Sequence, residues 1–146
     1  MAHVKGTYAI ILHLGKNTVI TVGKLGDIPF TAGYYLYIGS ALNSLFPRIE
    51  RHVRGSNRLH WHVDYLRQEA DVIEVWYLVS DERLECTWYR IAIQMPTAPV
   101  PVSGFGSSGC RCQSHLLYFP SVPSIEDFRL MVGDAGKNLV RCEYSD

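Results

Sequence analysis

The chain has almost no net charge, few cysteines and no long apolar run, and each shortage removes a class of protein. Fourteen basic residues balance fourteen acidic ones, which argues against a protein held to nucleic acid by bulk charge alone. Four cysteines, Cys86, Cys110, Cys112 and Cys142, are too few and too unevenly spaced for a disulfide framework in 146 residues. A reducing, cytoplasmic setting is therefore expected. No apolar run reaches the roughly eighteen residues of a membrane helix. The N-terminal stretch meets Lys16 and Asn17 without a cleavage pattern of small residues. The expectation is a soluble, unexported protein with no membrane partner.

A hydrophobic content of 47% over 146 residues suits one compact domain with its own core. The reading is a single domain over 1–146, with a core at about 6–95 and a C-terminal elaboration at about 96–146. Neutrality overall hides a local imbalance. From Arg48 to His62 there are four arginines and three histidines against the single acid Glu50, whereas Asp64 to Glu85 carries seven acids. Any contact with a polyanion is expected through the first of these stretches.

Thr7 to Leu14 is nearly continuous apolar sequence and Asn17 to Val22 is β-branched, with turn residues between them, which predicts a hairpin. Gly33 to Gly39 returns as a strand whose alternation puts Tyr35 and Tyr37 on one face and Tyr34, Leu36 and Ile38 on the other. Three strands without an intervening helix imply antiparallel pairing. Leu42, Leu45, Phe46, Ile49 and Val53 recur at helical spacing, with Ser44 as N-cap and Pro47 in the first turn. Further along, the pattern predicts a short helix over His60 to Arg67, a strand over Val72 to Val79 and a helix over Asp81 to Gln94. A linker over Pro96 to Pro101 follows, then an extended Cys110 to Phe119, a helix over Ser124 to Val132 and a last strand over Leu139 to Tyr144. The fold class is α/β in the broad sense, α+β in organisation: a small, mainly antiparallel central sheet flanked by helices.

Gly6-Thr7-Tyr8 on one strand and Tyr37-Ile38-Gly39 on another, followed by Ser40-Ala41 and a helix with Arg48 and His52, resemble the GIY-YIG nuclease superfamily. The run Trp61-His62-Val63-Asp64-Tyr65-Leu66 and the glycine- and serine-rich stretch before Cys110-x-Cys112 are similar to its stand-alone Uri-type subgroup. Two spacings depart from the family pattern: 28 residues separate Tyr8 from Tyr37, a gap that an extra hairpin over Asn17 to Phe30 explains, and Arg48 lies eleven residues after Tyr37. The second makes Arg51 a minor competitor for the role of Arg48. The resemblance implies a GIY-YIG-like fold and a divalent-metal-dependent endonuclease that hydrolyses DNA phosphodiester bonds in repair or recombination.

That chemistry needs positive charge facing the phosphate and a positioned water. Arg48 supplies a permanently charged planar fork. His52, one turn later, lies about 6 Å along the helix axis on the same face. The resemblance implies that Tyr8 activates or positions the water, with Tyr37 as its partner, and that one glutamate holds a single Mg²⁺ or Mn²⁺. Glu85 is preferred over Glu82 because helical spacing sets it beside Trp88, Tyr89 and Ala92. A lone carboxylate with waters is the ordinary way to bind Mg²⁺. Ser40, Arg51, Arg54, Arg58, His60 and His62 are the candidate nucleic-acid contacts, with DNA as the partner.

Other readings compete. The same scaffold could serve as a non-catalytic nucleic-acid-binding accessory module. His60 and His62 could instead be structural hydrogen-bonders around Asp64. Gly104 to Gly109 formally matches a dinucleotide-binding fingerprint, but no strand-helix-strand unit surrounds it, and a loop is expected there. Cys110-x-Cys112-x-x-His115 invites zinc. On a strand, however, His115 would point away from the two cysteines, and no second close pair of ligands is evident, so the sequence argues against a zinc site.

Overall fold

The computed structural model describes residues 3–106 and 110–144. Its centre is β1 (Gly6–Leu14), apolar on both faces, which pairs antiparallel with β4 (Gly33–Ala41) on one side and β5 (Asp71–Val79) on the other. A strand carrying side chains such as Ile10, Ile11 and Leu12 with no exposed face must be covered above and below. The sheet grows outward to six strands in the order β6-β7-β4-β1-β5-β8, antiparallel throughout, with β6 at Val100–Pro101, β7 at Leu116–Phe119 and β8 at Val140–Glu143. Four helices complete an α+β fold: α1 (Leu45–Arg54), α2 (His62–Arg67), α3 (Glu85–Ala92) and α4 (Ile125–Val132).

The expected hairpin between Thr7–Leu14 and the following β-branched segment does not form. That segment, β2 (Thr18–Thr21), pairs with β3 (Asp27–Phe30) in a separate two-stranded sheet. The reason is length and coverage: β2 has four residues and leaves Val19 66% exposed, so it cannot shield a nine-residue buried strand. β4, nine residues long, matches β1 residue for residue. Alternation along β4 holds as expected, because Tyr35 and Tyr37 join the core on one side of the sheet while Leu36 and Ile38 join the core on the other.

The first core collects Tyr8, Ile10, Leu12, Tyr35 and Tyr37 from the sheet with Leu45 and Ile49 of α1 and Val63 and Leu66 of α2. Across the sheet, Ala9, Ile11, Leu36, Ile38 and Trp76 meet Trp88 and Tyr89 of α3 and Phe128 of α4. Arg67 of α2 clamps the two helices of the first layer. It donates from Nε to the carbonyl of His52 at 3.0 Å and from NH2 to that of Val53 at 2.7 Å, satisfying carbonyls at the end of α1.

Several element bounds differ from the sequence reading. The helix expected from Asp81 begins at Glu85, because Thr7 Oγ1 takes the N–H of Leu84 and Ser80 Oγ that of Glu82, which holds the preceding residues in a turn. The linker expected over Pro96 to Pro101 ends in β6, an edge strand that tolerates proline because its missing N–H faces away from the ladder. Of the extended stretch expected from Cys110, only Leu116–Phe119 is strand. The residues ahead of it bend around Ser114, whose hydroxyl accepts from Leu116 N and donates toward the carbonyl of Phe105. Ser124 caps α4 by accepting the N–H of Asp127 at 3.3 Å. Among the described residues no helix is long and apolar enough to cross a membrane.

Candidate active site

Tyr8 lies opposite Gly39, and Tyr37 opposite Ile10, so the two tyrosines are diagonal neighbours on one face of the central strand pair. Gly39 makes this possible. A Cβ at that position would stand 2.5 Å from the Tyr8 hydroxyl, so any side chain there would push the phenol out of place. Gly39→Ala is expected to cost about 1–3 kcal/mol of stability and to displace the Tyr8 ring, measurable by denaturant unfolding and near-ultraviolet dichroism. An unchanged midpoint would show that the contact relaxes freely.

Helix α1 brings His52 against this pair. His52 is only 2% exposed, with Nε2 3.1 Å from the Tyr8 hydroxyl and its ring edge-on to Tyr37 and Trp61. Burial, helped by the nearby charges of Arg51 and Arg48 and opposed by Asp64, lowers its pKa to about 4. His52 is therefore neutral near pH 7. Its Nδ1 is 3.9 Å from Asp64 Oδ1, beyond hydrogen-bond reach, and has no partner. The proton belongs on the nitrogen facing the carboxylate, which leaves Nε2 to accept the Tyr8 O–H. Burial also raises the pKa of both Tyr8 and Tyr37 well above the ordinary phenol value, so both hydroxyls stay protonated.

A pH dependence follows. His52 titrates near 6.5 unfolded and about 4 folded, so the unfolded state binds this proton first as pH falls. The stability contribution is intact above about 6.5 and is lost on acidification toward 4, by roughly 3 kcal/mol in all. His52→Gln should flatten the stability profile across that window. An equally steep profile in the variant would assign the dependence to other groups.

Asp64 organises the far side of His52. Its Oδ1 takes Arg51 NH1 at 2.9 Å, and its Oδ2 takes the N–H groups of His60 and Trp61 at 2.8 Å each. Arg51 also donates from NH2 to the carbonyl of Arg58 at 2.6 Å. Arg48 and Arg51 therefore have different settings. The Arg51 guanidinium is committed to Asp64 and the Arg58 carbonyl. Arg48 faces the cleft, with NH1 on the Ser40 carbonyl at 2.9 Å and its guanidinium carbon 4.8 Å from the centre of the Trp61 ring.

Tyr8, Tyr37, Ser40, Arg48, Trp61 and Glu85 line one cleft of about 200 Å³, to which Arg83, Cys110 and His115 also contribute. Glu85 enters from the first turn of α3, its side chain 18% exposed. Oε1 accepts from the largely exposed Arg83 at 2.8 Å, and Oε2 is 3.9 Å from His115 Nδ1. Glu82 lies outside the helix and is exposed. Of the remaining predicted contacts, Arg54 pairs with Glu50 on the surface at 3.0 Å, and His60 stacks edge-on to Trp61. His62 Nδ1 accepts the N–H of Gly106 at 2.9 Å, and burial lowers its pKa. That bond ties α2 to the loop bordering the cleft, a role no spacing in the sequence announces.

Against the sequence reading, residues 110–115 bend, so His115 does not point away from the cysteines, and α3 brings Cys86 beside them. The donor atoms of Cys86, Cys110, Cys112 and His115 all lie within 4.8 Å of one another. His115 Nε2 is 3.3 Å from Cys110 Sγ and 3.8 Å from Cys86 Sγ. Burial, with the neighbouring thiols adding to it, pushes the Cys112 thiol up to about 12, and burial, opposed by a hydrogen bond from Cys112, raises that of Cys86. Ser107, Ser108 and Gly109 of the expected glycine-rich loop lie outside the described residues.

The chain belongs to the family described as Domain of unknown function DUF123, which matches residues 7–136. That assignment overturns the GIY-YIG nuclease membership expected from the motifs. Two tyrosine-bearing strands and an arginine-bearing helix are a local pattern of few residues, whereas the family match covers nearly all of the chain. No curated protein and no solved structure matches the chain.

Proposed function

We propose that the cleft hydrolyses phosphodiester bonds of DNA, as an endonuclease that uses one divalent cation. The reading rests on one observation above all: a guanidinium, a carboxylate and a histidine-bonded tyrosine share a single small cleft. Hydrolysis of a phosphodiester builds negative charge on the non-bridging oxygens, and Arg48 presents its fork where a phosphate entering the cleft would lie. Its plane is already fixed by the Ser40 carbonyl and Trp61, so little freedom is lost on binding.

The Tyr8 hydroxyl, donating to neutral His52, turns its oxygen lone pairs toward the cleft and can accept a hydrogen bond from an attacking water. His52, kept neutral by its burial, accepts the Tyr8 O–H and so fixes the direction of the phenol oxygen. Tyr37, edge-on to His52, adds a second phenol to the wall of the cleft. A lone, partly exposed carboxylate in a cleft with room for solvent suits Mg²⁺ or Mn²⁺, which keep most of their waters. Glu85 would hold such an ion in exchange for its ion pair with the exposed Arg83. The ion would supply charge for the transition state and a more acidic bound water.

Arg54 and Arg58, on the exposed edge beyond the cleft, would follow the DNA backbone. The direct test is nicking of supercoiled plasmid by the purified protein with Mg²⁺ or Mn²⁺. Open circles that require the cation are expected. A protein that binds DNA and leaves plasmid intact with both cations is an accessory binding module instead.

A further inference from the structure

Three segments of the chain converge at the cleft wall that holds Cys110 and His115. Cys86 is the second residue of α3, while Cys110 and Cys112 sit in the bends after the cleft loop. His115 is locked beside β4 by its carbonyl, which accepts the N–H of Ile38 at 2.9 Å, and by its N–H, which donates to Phe105 at 2.8 Å. A tetrahedral Zn²⁺ with bonds of about 2.3 Å to sulfur and about 2.0 Å to nitrogen sets its donors roughly 3.5–3.8 Å apart. The two sulfur-to-nitrogen separations, 3.3 and 3.8 Å, bracket that range.

We propose that Cys86, Cys110, Cys112 and His115 bind one Zn²⁺ in a closed structural site that fastens α3, the cleft loop and β7 together and orients Glu85 through His115. Soft thiolates select zinc over Mg²⁺, and four protein ligands leave no position for substrate. Binding releases the three thiol protons, so the sulfurs coordinate as thiolates although the metal-free thiols are weakly acidic. Coordination through Nε2 puts the remaining imidazole proton on Nδ1, the nitrogen that faces Glu85 Oε2 at 3.9 Å. A small closing movement makes that contact a carboxylate-to-histidine hydrogen bond, the usual outer partner of a zinc-bound imidazole. His115 and Cys110 also line the cleft, so the metal fixes one wall of it.

The test is metal content of the wild-type protein after exhaustive dialysis, read by elemental analysis, together with the spectrum after replacement by Co²⁺. About one zinc per chain is expected, with intense visible bands of tetrahedral cobalt and strong sulfur-to-cobalt charge transfer. Cys112→Ser should lose most of the metal or bind it at least 10-fold more weakly, whereas Cys142→Ser and Glu85→Gln should keep it. Wild-type protein that is folded and zinc-free, and that gives only the pale spectrum of octahedral cobalt, would overturn the proposal. So would loss of zinc from Glu85→Gln alone, because the carboxylate would then be a ligand and the site would not be the one described. None of these readouts depends on cleavage, so they stand apart from the nuclease reading.

Discussion

Arg48→Ala should abolish DNA cleavage and leave the fold standing. The Arg48 side chain is half-buried at the cleft, not in the core that Leu45 and Ile49 fill from the same helix. Its contacts include a hydrogen bond to the Ser40 carbonyl, the face of Trp61 and the Tyr8 hydroxyl. Losing a charge-assisted hydrogen bond and a cation–π contact costs about 1–3 kcal/mol. Losing the cation that faces the phosphate should cost at least about 10²–10³ in rate, by comparison with removal of a single transition-state donor. Arg48→Lys keeps the charge but not the planar fork and should recover only part of the activity. The checks are single-turnover cleavage and thermal unfolding on the same preparations. An unfolded Arg48→Ala, or one that cleaves normally, removes Arg48 from the role assigned to it.

Glu85→Gln should be as damaging for a different reason. The substitution keeps length and helix propensity at the first residue of α3 and removes the charge that would hold the divalent ion. Cleavage is expected to fall by orders of magnitude. Binding of DNA without metal should persist or tighten, since a carboxylate no longer opposes the phosphate. Glu82→Gln is the internal control. Glu82 is exposed and precedes the helix, so that change should leave both activity and stability within a few tenths of a kcal/mol of the wild type. If Glu82→Gln inactivates the protein and Glu85→Gln does not, the carboxylate has been misassigned.

The parts of the structure that follow a local period were legible in the sequence. The strand faces at Tyr35 to Ile38, the helix from Leu45 and the capped helix after Ser124 each rest on side chains within one element. What depended on pairing between distant segments was not legible. Thr18–Thr21 looks like a partner for β1 until β4 is seen to offer nine matched residues. The spacing of Leu45, Phe46, Ile49 and Val53 gives α1 an apolar buried face, yet His52 fills its second turn, because Asp64 and Tyr8 arrive from other elements to receive it. The start of α3 is decided by Thr7, 77 residues away in sequence from the N–H it caps.

The cluster of three cysteines and His115 shows the same limit most clearly. Cys110, Cys112 and His115 were visible as a group, but the strand assumed for them turned His115 away, and Cys86 belongs to a helix 24 residues upstream of Cys110. Only the bend at Ser114 and the packing of α3 bring the four together. The motif resemblance failed for a related reason: short matched runs record local geometry, while family membership is carried by the whole span from 7 to 136.

The measurement that bears most directly on the proposed function is single-turnover cleavage of a labelled DNA duplex across a Mg²⁺ titration, with wild type and Glu85→Gln in parallel and zinc content checked in both. Wild type should show a rate that rises with Mg²⁺ and saturates, and Glu85→Gln should stay at background over the same range with its zinc retained. Equal, cation-dependent rates in the two proteins would contradict the account, because the carboxylate at the centre of the cleft would then have no part in the chemistry.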